Sequence, residues 1–294
     1  MKPPRFDYHA PGTVGEAVGL LGELAELDAK VIAGGQSLVP LMNLRLARPG
    51  ALVDLRRIDE LRGIERTADG WSLGALTSHA DVEDSAALRA GLPLAPAVAA
   101  HIGYRAIRNR GTVGGSLCHA DPAAEWPLLA RLLDARLDLD GPAGGRTVAA
   151  ADFFESFFVT SAGEDEILRR VRITPPAQPW AWGFVEFAHT VGDFAVVAVG
   201  AVVELEDGVV ARARLAAAGL AGTPVRLVAA EAELVGSDPR DAVAHGRAAR
   251  AAMAEVDPSP DGSGSADYKR TLLEVHVRRA LAQAAPSGPA EVAA

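Results

Sequence analysis

Apolar residues recur at helical and strand spacings along most of the chain. A first helix is predicted near residues 14–26, where apolar residues repeat every three or four positions. Thr13 followed by Glu16 gives the capping-box signal for its start. The next predicted elements are a strand at 30–33, a helix at 38–44, strands at 51–58 and 71–77, a proline-interrupted helix at 87–102 and a helix at 123–133. Short helices and strands therefore mix throughout the first half of the chain.

The proline-rich run at 175–179 (PPAQP) is stiff and non-helical, and it is our predicted domain boundary. Beyond it, turn signals separate successive strand candidates, which favours an antiparallel sheet. These strands are predicted at 184–189, 194–205 and 209–219, with helices at about 225–236, 239–254 and 267–284. The resulting division is an N-terminal domain at 1–176, a C-terminal domain at 177–285 and a flexible Pro/Gly/Ser-rich tail at 286–294.

The charge balance argues against nucleic acid as a partner. The 294 residues include 29 Lys and Arg against 38 Asp and Glu, a net charge of −9. No run of basic residues alternates with aromatic residues, so the sequence shows no positively charged surface for binding a phosphate backbone. The longest uncharged apolar run, 194–203, is about half the roughly 20 residues that a membrane-spanning helix needs. We therefore expect a soluble, cytoplasmic protein without a transmembrane segment.

The cysteine and histidine content limits the metal chemistry of this chain. With Cys118 as its single cysteine, the chain alone holds no disulfide, iron–sulfur cluster or Cys-based zinc site. The seven histidines lack the spacings of common metal motifs, so no metal site is expected. No Ser-His-Asp or paired-carboxylate arrangement is legible, and no catalytic acid–base residue is assigned.

The first candidate binding motif is the segment 33–37 (AGGQS), between a predicted strand and a predicted helix. Its glycines let consecutive backbone N–H groups approach a ligand, and the helix N-terminus adds partial positive charge, so a pyrophosphate is a natural guest. The segment lacks the G-x-G-x-x-G spacing and no Walker A lysine follows. An ordinary tight turn in which Ser37 caps the helix is the alternative.

The second candidate is the segment 112–116 (TVGGS), in a predicted long loop at 109–122. Two more adjacent glycines flanked by hydroxyls offer a second nest of amides. Asp121 or Glu125 is placed to accept hydrogen bonds from ribose or an adenine amine. Because neither motif contains a lysine, the pair suggests one diphosphate cofactor held by backbone dipoles from both sides.

Together these segments resemble the FAD-binding medium subunit of molybdenum hydroxylases, of the aerobic carbon monoxide dehydrogenase type. The matching stretches include AGGQSLVPLMNLRLARP, AIRNRGTVGGSLCHADPAAEWP and EDEILRRVRI, and the likeness runs from Phe6 to about Ala284. The flavin domain of xanthine dehydrogenase is also similar. The resemblance implies a vanillyl-alcohol-oxidase or PCMH-type α+β fold. Two α+β subdomains, about 1–57 and 58–176, clasp FAD, and a C-terminal domain of antiparallel sheet with helices follows.

The resemblance also implies which residues contact FAD. The loops matching 33–37 and 112–116 bind the diphosphate, the acidic positions matching Asp121 and Glu125 serve the adenosine end, and Ile167 and Leu168 pack near the isoalloxazine. The full set of expected cofactor-binding residues is Ile32, Ala33, Gly34, Gly35, Gln36, Ser37, Leu38, Ile102, Thr112, Gly114, Gly115, Ser116, Asp121, Glu125, Ile167, Leu168 and Glu186.

The sequence departs from the family pattern at two of these positions and at one position close by. Glu125 stands where Asp is usual, and Glu186 and His189 stand where relatives often carry Lys and Arg. A lysine near the flavin would favour negative charge on the ring, whereas a carboxylate would oppose it. We therefore expect a lower flavin potential than in the lysine-bearing relatives.

The function that the resemblance implies is internal electron transfer. FAD on this chain would take electrons from 2Fe-2S clusters of a small subunit, after a molybdopterin-type molybdenum cofactor on a large subunit has oxidised the substrate. The expected electron acceptor is a quinone, oxygen or NAD. The expected assembly is a dimer of heterotrimers, and any attachment to the inner membrane is through the complex. The alternatives are a stand-alone flavin oxidase of the same fold and a scaffold subunit that has lost FAD.

Overall fold

The computed structural model describes residues 2–177 and 179–285, and its first sheet is small and parallel. We call residues 2–57, which contain this sheet, the first lobe. The strand order is β1-β3-β2, with both neighbouring pairs parallel. Its elements are β1 (Asp7–His9), α1 (Val14–Glu23), β2 (Lys30–Ile32), α2 (Leu38–Asn43) and β3 (Ala51–Asp54).

The second lobe, residues 58–177, is built on a five-stranded antiparallel sheet of order β4-β5-β10-β6-β7. The hairpin of β8 and β9 lies outside this sheet. Its strands are β4 (Ile64–Thr67), β5 (Gly70–Gly74), β6 (Arg136–Gly141), β7 (Gly144–Ala149), β8 (Phe154–Ser156), β9 (Val159–Thr160) and β10 (Ile167–Ile173). Its helices are α3 (His79–Asp84), α4 (Ala86–Gly91), α5 (Leu94–Ala99), α6 (Arg105–Arg108), α7 (Val113–His119), α8 (Glu125–Leu132) and α9 (Ala150–Phe153).

A four-stranded antiparallel sheet of order β11-β12-β13-β14 forms the last part of the chain. Its elements are β11 (Trp180–Phe187), β12 (Val197–Glu206), β13 (Val209–Ala218), β14 (Val225–Arg226), α10 (Val228–Ala232), α11 (Ala242–Glu255) and α12 (Ala266–Gln283). One face of the sheet packs against the three helices, and the other joins the core of the second lobe. Alternate residues of β11, such as Trp180 and Phe184, point into that shared core, as a period of two requires.

Several predicted elements differ from the observed ones. The Thr13 cap is confirmed, because its side chain accepts from Glu16 N–H at 3.2 Å, but α1 ends at Glu23 rather than near 26. The helix predicted at 225–236 begins with strand β14, and only Val228–Ala232 is α-helical. Within the described residues, no helix combines the length and apolar character needed to cross a membrane. The tail predicted at 286–294 lies outside the described residues.

The strand predicted at 71–77 also ends early. It stops at Gly74, and Ser78 caps the helix that follows, in a capping box with Asp81. Thr77 donates its hydroxyl to the Gly63 carbonyl at 2.9 Å. The four-residue bend between strand and helix turns Ala75 and Leu76 toward the space between the lobes.

Candidate functional site

A cavity of about 840 Å³ lies between the two lobes, near the upper end of the range for cofactor sites. Its wall combines the turn after β2, the bend after β5, the start of α7 and the start of β10. All of the predicted cofactor-binding residues except Glu186 line this cavity. The structure therefore brings residues from distant parts of the sequence to one concave site.

The turn between β2 and α2 offers unpaired backbone donors to the cavity. Among the described residues, none accepts a hydrogen bond from the N–H groups of residues 34–38, all of which line the cavity. Gly35 has φ +73°, a conformation that suits glycine, and it redirects the chain into α2. Consecutive free amides at a helix start form an anion-binding cradle, which the sequence predicted for this segment. Ser37 occupies the N-cap position of α2, but its side chain makes no capping bond, so the predicted side-chain cap is wrong.

Gly34 joins the two lobes by direct backbone contact. A Cβ placed on Gly34 would lie 2.1 Å from the Arg110 carbonyl oxygen and 2.9 Å from Gly111 Cα. Any side chain here would force the cradle away from the second lobe. The two glycine motifs thus face one cavity, as their pairing suggested.

The second motif is not the long loop with a free amide nest that the sequence predicted. Thr112 caps α7 by accepting from Gly115 N–H at 3.0 Å, and Gly114 N–H donates to the Ala75 carbonyl at 2.8 Å. Val113 N–H likewise donates to Thr77, at 2.9 Å. These internal bonds use the amides of the motif, because the segment is paired to the bend after β5. The segment contributes wall and hydroxyl groups, and the free amides belong to the first motif.

Replacing Gly114 with valine should remove flavin and destabilise the protein before any ligand binds. A Cβ at this position would lie 2.5 Å from Ala75 Cβ and 2.8 Å from the Ala75 carbonyl oxygen, so α7 must move off the bend. Flavin content and the thermal unfolding temperature of the flavin-free protein measure the two effects. Gly19→Val in α1, where nothing lies within 4 Å of the added Cβ, is the matched control. Unchanged stability of the flavin-free Gly114→Val protein would contradict this packing role.

Two acidic side chains stand where α7 leads into α8. Asp121 accepts from Ala123 N–H at 2.9 Å, so one of its oxygens stabilises the turn. Glu125 is 6% exposed at the first residue of α8 and lines the cavity. Burial raises the pKa of Glu125 to about 7, and the Asp121 carboxylate adds to the rise. Glu125 can therefore exchange a proton near neutral pH.

Glu186 does not line the cavity, so its predicted direct contact with the cofactor is not supported by its position. It lies on the face of β11 that packs toward the second lobe, and its Oε2 atom is buried without a partner. Burial raises the pKa of Glu186 to about 8, and the nearby Glu125 adds to the rise. The charges at positions 125 and 186 therefore influence each other. The resemblance implies an adenosine contact for position 125 and a flavin contact for position 186.

Other wall residues come from places that the sequence did not single out. The turn between β11 and β12 contributes Gly192, Asp193 and the exposed Phe194. This turn rests on the second lobe, since a Cβ on Gly192 would lie 3.2 Å from Tyr104 Cζ. Gly192 indicates a turn in the sequence, but the sequence pattern does not predict that this turn lies beside Ile102 at the cavity. His79 is a further wall residue that the sequence analysis missed.

The charged residues of the wall are mainly acidic. Lys30 is the one Lys or Arg among the described wall residues, and it pairs with Asp28 at 2.8 Å. Glu166 is neutralised by Arg146 at 2.6 Å, and that guanidinium holds the pKa of the Glu166 carboxyl below its usual range. A diphosphate in this cavity would therefore rely on the amide cradle rather than on cationic side chains.

Comparison with known proteins gives a consistent family. Residues 4–176 match the model of the FAD binding domain in molybdopterin dehydrogenase, and residues 182–284 match the CO dehydrogenase flavoprotein C-terminal domain. The carbon monoxide dehydrogenase medium chain of Hydrogenophaga pseudoflava is 39% identical, over 96% of this chain and 97% of that one. The nicotine 6-hydroxylase medium subunit of Paenarthrobacter nicotinovorans is 36% identical, over 97% and 99%.

Solved structures agree with these sequence matches. Carbon monoxide dehydrogenase from Hydrogenophaga pseudoflava, in a form lacking the Mo-pyranopterin moiety, superposes with a TM-score of 0.93 at 41% identity, covering 97% of this chain and 98% of that one. Quinoline 2-oxidoreductase from Pseudomonas putida 86 gives a TM-score of 0.92 at 37% identity, with the same coverage of 97% and 98%.

Proposed function

We propose that this chain, which belongs to the FAD-binding family of molybdopterin dehydrogenases, is the flavin-carrying electron-transfer subunit of a molybdenum hydroxylase complex. The observation that carries the proposal is the amide cradle of residues 34–38, open to a cofactor-sized cavity between the lobes. A cradle of N–H groups that no described residue satisfies fits a diphosphate.

Bound FAD would accept electrons singly from iron–sulfur clusters and release them in pairs to a quinone, oxygen or NAD. The chain's own part is to hold the cofactor and exclude water. Residues 33–38 and the hydroxyls of Thr112 and Ser116 would hold the diphosphate. Ile102, Ile167 and Leu168 would supply the apolar wall for the ring, with Asp121 and Glu125 at the adenosine end.

The partners that we propose are a small subunit with 2Fe-2S clusters and a large subunit with the molybdenum cofactor, in a dimer of heterotrimers. A chain with one cysteine requires the clusters to be elsewhere. We further propose a cytoplasmic location, and a division of the chain into FAD-binding residues 1–176 and a C-terminal domain at 177–285.

Purification of the native complex tests this proposal against its alternatives. We expect flavin, iron and molybdenum to co-elute with this chain and two further polypeptides. An active single chain without metals would instead favour a stand-alone flavin oxidase. A colourless complex with the other two subunits present would favour a scaffold that has lost FAD.

Changing Glu186 to lysine should raise the midpoint potential of the bound flavin. At an effective dielectric constant of about 20, a new positive charge several Å away is worth about 1–3 kcal/mol, or roughly 20–60 mV for a two-electron couple. Because the pKa of Glu186 is about 8, the wild-type carboxyl is largely neutral at pH 7 and opposes the ring only at higher pH. The wild-type potential should therefore fall more steeply than that of Glu186→Gln between about pH 7 and pH 9, where this carboxyl ionises.

Redox titration of the flavin at pH 7 and pH 9 measures both effects. Glu206→Lys, at the exposed end of β12, makes the same substitution far from the buried site as a control and should leave the potential unchanged. Equal potentials for wild type and Glu186→Lys at both pH values would contradict the influence of this position on the flavin.

A further inference from the structure

His79 and Trp126 form a buried pair in the cavity wall. Trp126 Nε1 donates to His79 Nδ1 at 3.0 Å, and the rings stack with centroids 6.3 Å apart. The residues are 4% and 1% exposed. They come from α3 and α8, so the tertiary fold is what joins them.

This hydrogen bond decides where the imidazole carries its proton. An indole N–H can only donate, so His79 Nδ1 must be the acceptor, and the neutral ring then carries its hydrogen on Nε2. No described residue accepts from Nε2–H, although His79 lines the cavity. A donor that faces the cavity from a side chain only 4% exposed, and that has no protein partner, is expected to meet an acceptor on a ligand.

The backbone around the ring fixes its direction and places it beside the cradle. His79 N–H donates to the Gly111 carbonyl at 3.0 Å. A Cβ on Gly111 would lie 2.7 Å from both Cδ2 and Nε2 of the ring, so the imidazole packs directly on this glycine. Gly111 in turn adjoins Gly34, the first residue of the cradle.

The surroundings also keep His79 uncharged. Burial lowers the pKa of His79 to about 4, and the positive charge of Arg108 on α6 adds to the lowering. Arg108 itself pairs with Glu83 at 2.7 Å. The other charged groups on the elements around the ring are Asp81 and Asp84 on α3, Arg105 on α6, Arg110 in the following turn, and Glu125 and Arg131 on α8, while α5 has none. At neutral pH the ring is thus a fixed, neutral donor.

We propose that His79 is a positioning residue that donates a hydrogen bond from Nε2–H to a diphosphate oxygen of FAD, with Trp126 holding it in the donor tautomer. The inference rests on the proposed function, in that the cavity must hold FAD. It adds an imidazole donor to a site whose other proposed donors are the backbone amides of residues 34–38 and the hydroxyls of Thr112 and Ser116.

The test measures the dissociation constant of FAD for the flavin-free full chain, by quenching of flavin fluorescence. His79→Leu should weaken binding roughly tenfold, the loss of one hydrogen bond to a charged group. His79→Gln, which keeps an N–H donor, should recover part of that loss. Equal affinity of His79→Leu and wild type would overturn the proposal.

Trp126→Phe tests the tautomer role through the pH dependence of FAD binding, which a purely structural role of Trp126 would not change. Without the indole donor, His79 Nδ1 is free to take a proton. The bound diphosphate dianion favours the imidazolium and so offsets the burial and the Arg108 charge that lower the pKa of His79. The ratio of the Trp126→Phe to the wild-type dissociation constant should therefore fall as the pH is lowered from about 8 to about 5.5. Titration of Glu125 affects both proteins and cancels in this ratio.

Trp71→Phe is the matched control. Trp71 is 4% exposed in the same core, its Nε1 has no partner in the described chain, and it does not line the cavity. Its ratio to wild type should not change with pH. A pH-independent ratio for Trp126→Phe would overturn the tautomer role, and if that variant fails to fold, the two His79 variants decide. Failure of the wild-type chain to bind FAD would instead refute the proposed function.

Discussion

Replacing Gly34 with alanine is expected to leave the purified protein without flavin. The added methyl would lie 2.1 Å from the Arg110 carbonyl oxygen, a distance that real contacts do not reach. Because the atoms in the way belong to the backbone, the turn of residues 33–38 must shift away from the second lobe. Its amide N–H groups then no longer point toward one ligand position. We expect flavin occupancy to fall more than tenfold, measured as flavin released per chain on denaturation.

A graded series separates this effect from the general cost of altering a glycine. Gly22→Ala in α1 meets nothing within 4 Å and should retain full flavin. Gly35→Ala meets Val39 at 3.3 Å and must hold an alanine at φ +73°, which costs about 1 kcal/mol, so partial occupancy is expected. Full occupancy in Gly34→Ala would mean that the cradle does not hold the diphosphate.

The first motif was predictable from sequence because its structure depends on neighbouring residues. A strand, two glycines and a helix start within ten positions are enough to specify an amide cradle. The second motif was predicted as a loop, and it is helix α7. Two of the bonds that fix it, from Val113 to Thr77 and from Gly114 to Ala75, join segments far apart in sequence. No local pattern reports such pairing, and two glycines lower the apparent helix propensity.

The wall residues show the same limit. The glycine motifs and the resemblance together supplied the expected contacts that line the cavity, but not His79, whose role depends on Trp126 more than forty residues later. Phe194 was equally invisible, since the turn after β11 reaches the cavity only through the packing of one sheet on another lobe. For Glu186, only the residue type could be read from the sequence, whereas its burial and the neighbouring Glu125 raise its pKa.

Changing Glu186 to glutamine should stabilise the flavin-free protein at alkaline pH. The folded-state pKa of Glu186 is raised to about 8, above the usual value near 4.5. A raised pKa means that the carboxyl's contribution to stability is fully present below about pH 4.5 and is lost as the pH rises through about 8. Glutamine has no such loss, so the stability gain over wild type should grow with pH, by at most about 1.4 kcal/mol per pH unit, and level off above pH 8.

Urea unfolding between pH 5 and pH 9 measures this difference. A half-buried glutamate that is paired with an arginine supplies the opposite case. Glu231 is bound to Arg226 at 2.5 Å, so Glu231→Gln removes half of an ion pair and should destabilise the protein at pH 8. Some pH dependence should persist in Glu186→Gln up to about pH 7, because Glu125 titrates there. If the Glu186→Gln gain does not grow between pH 5 and pH 8, the carboxyl is already ionised in the folded protein. In that case a positive group must compensate the Glu186 carboxylate. Glu186 would then not oppose negative charge on the flavin ring in a pH-dependent way, as proposed above.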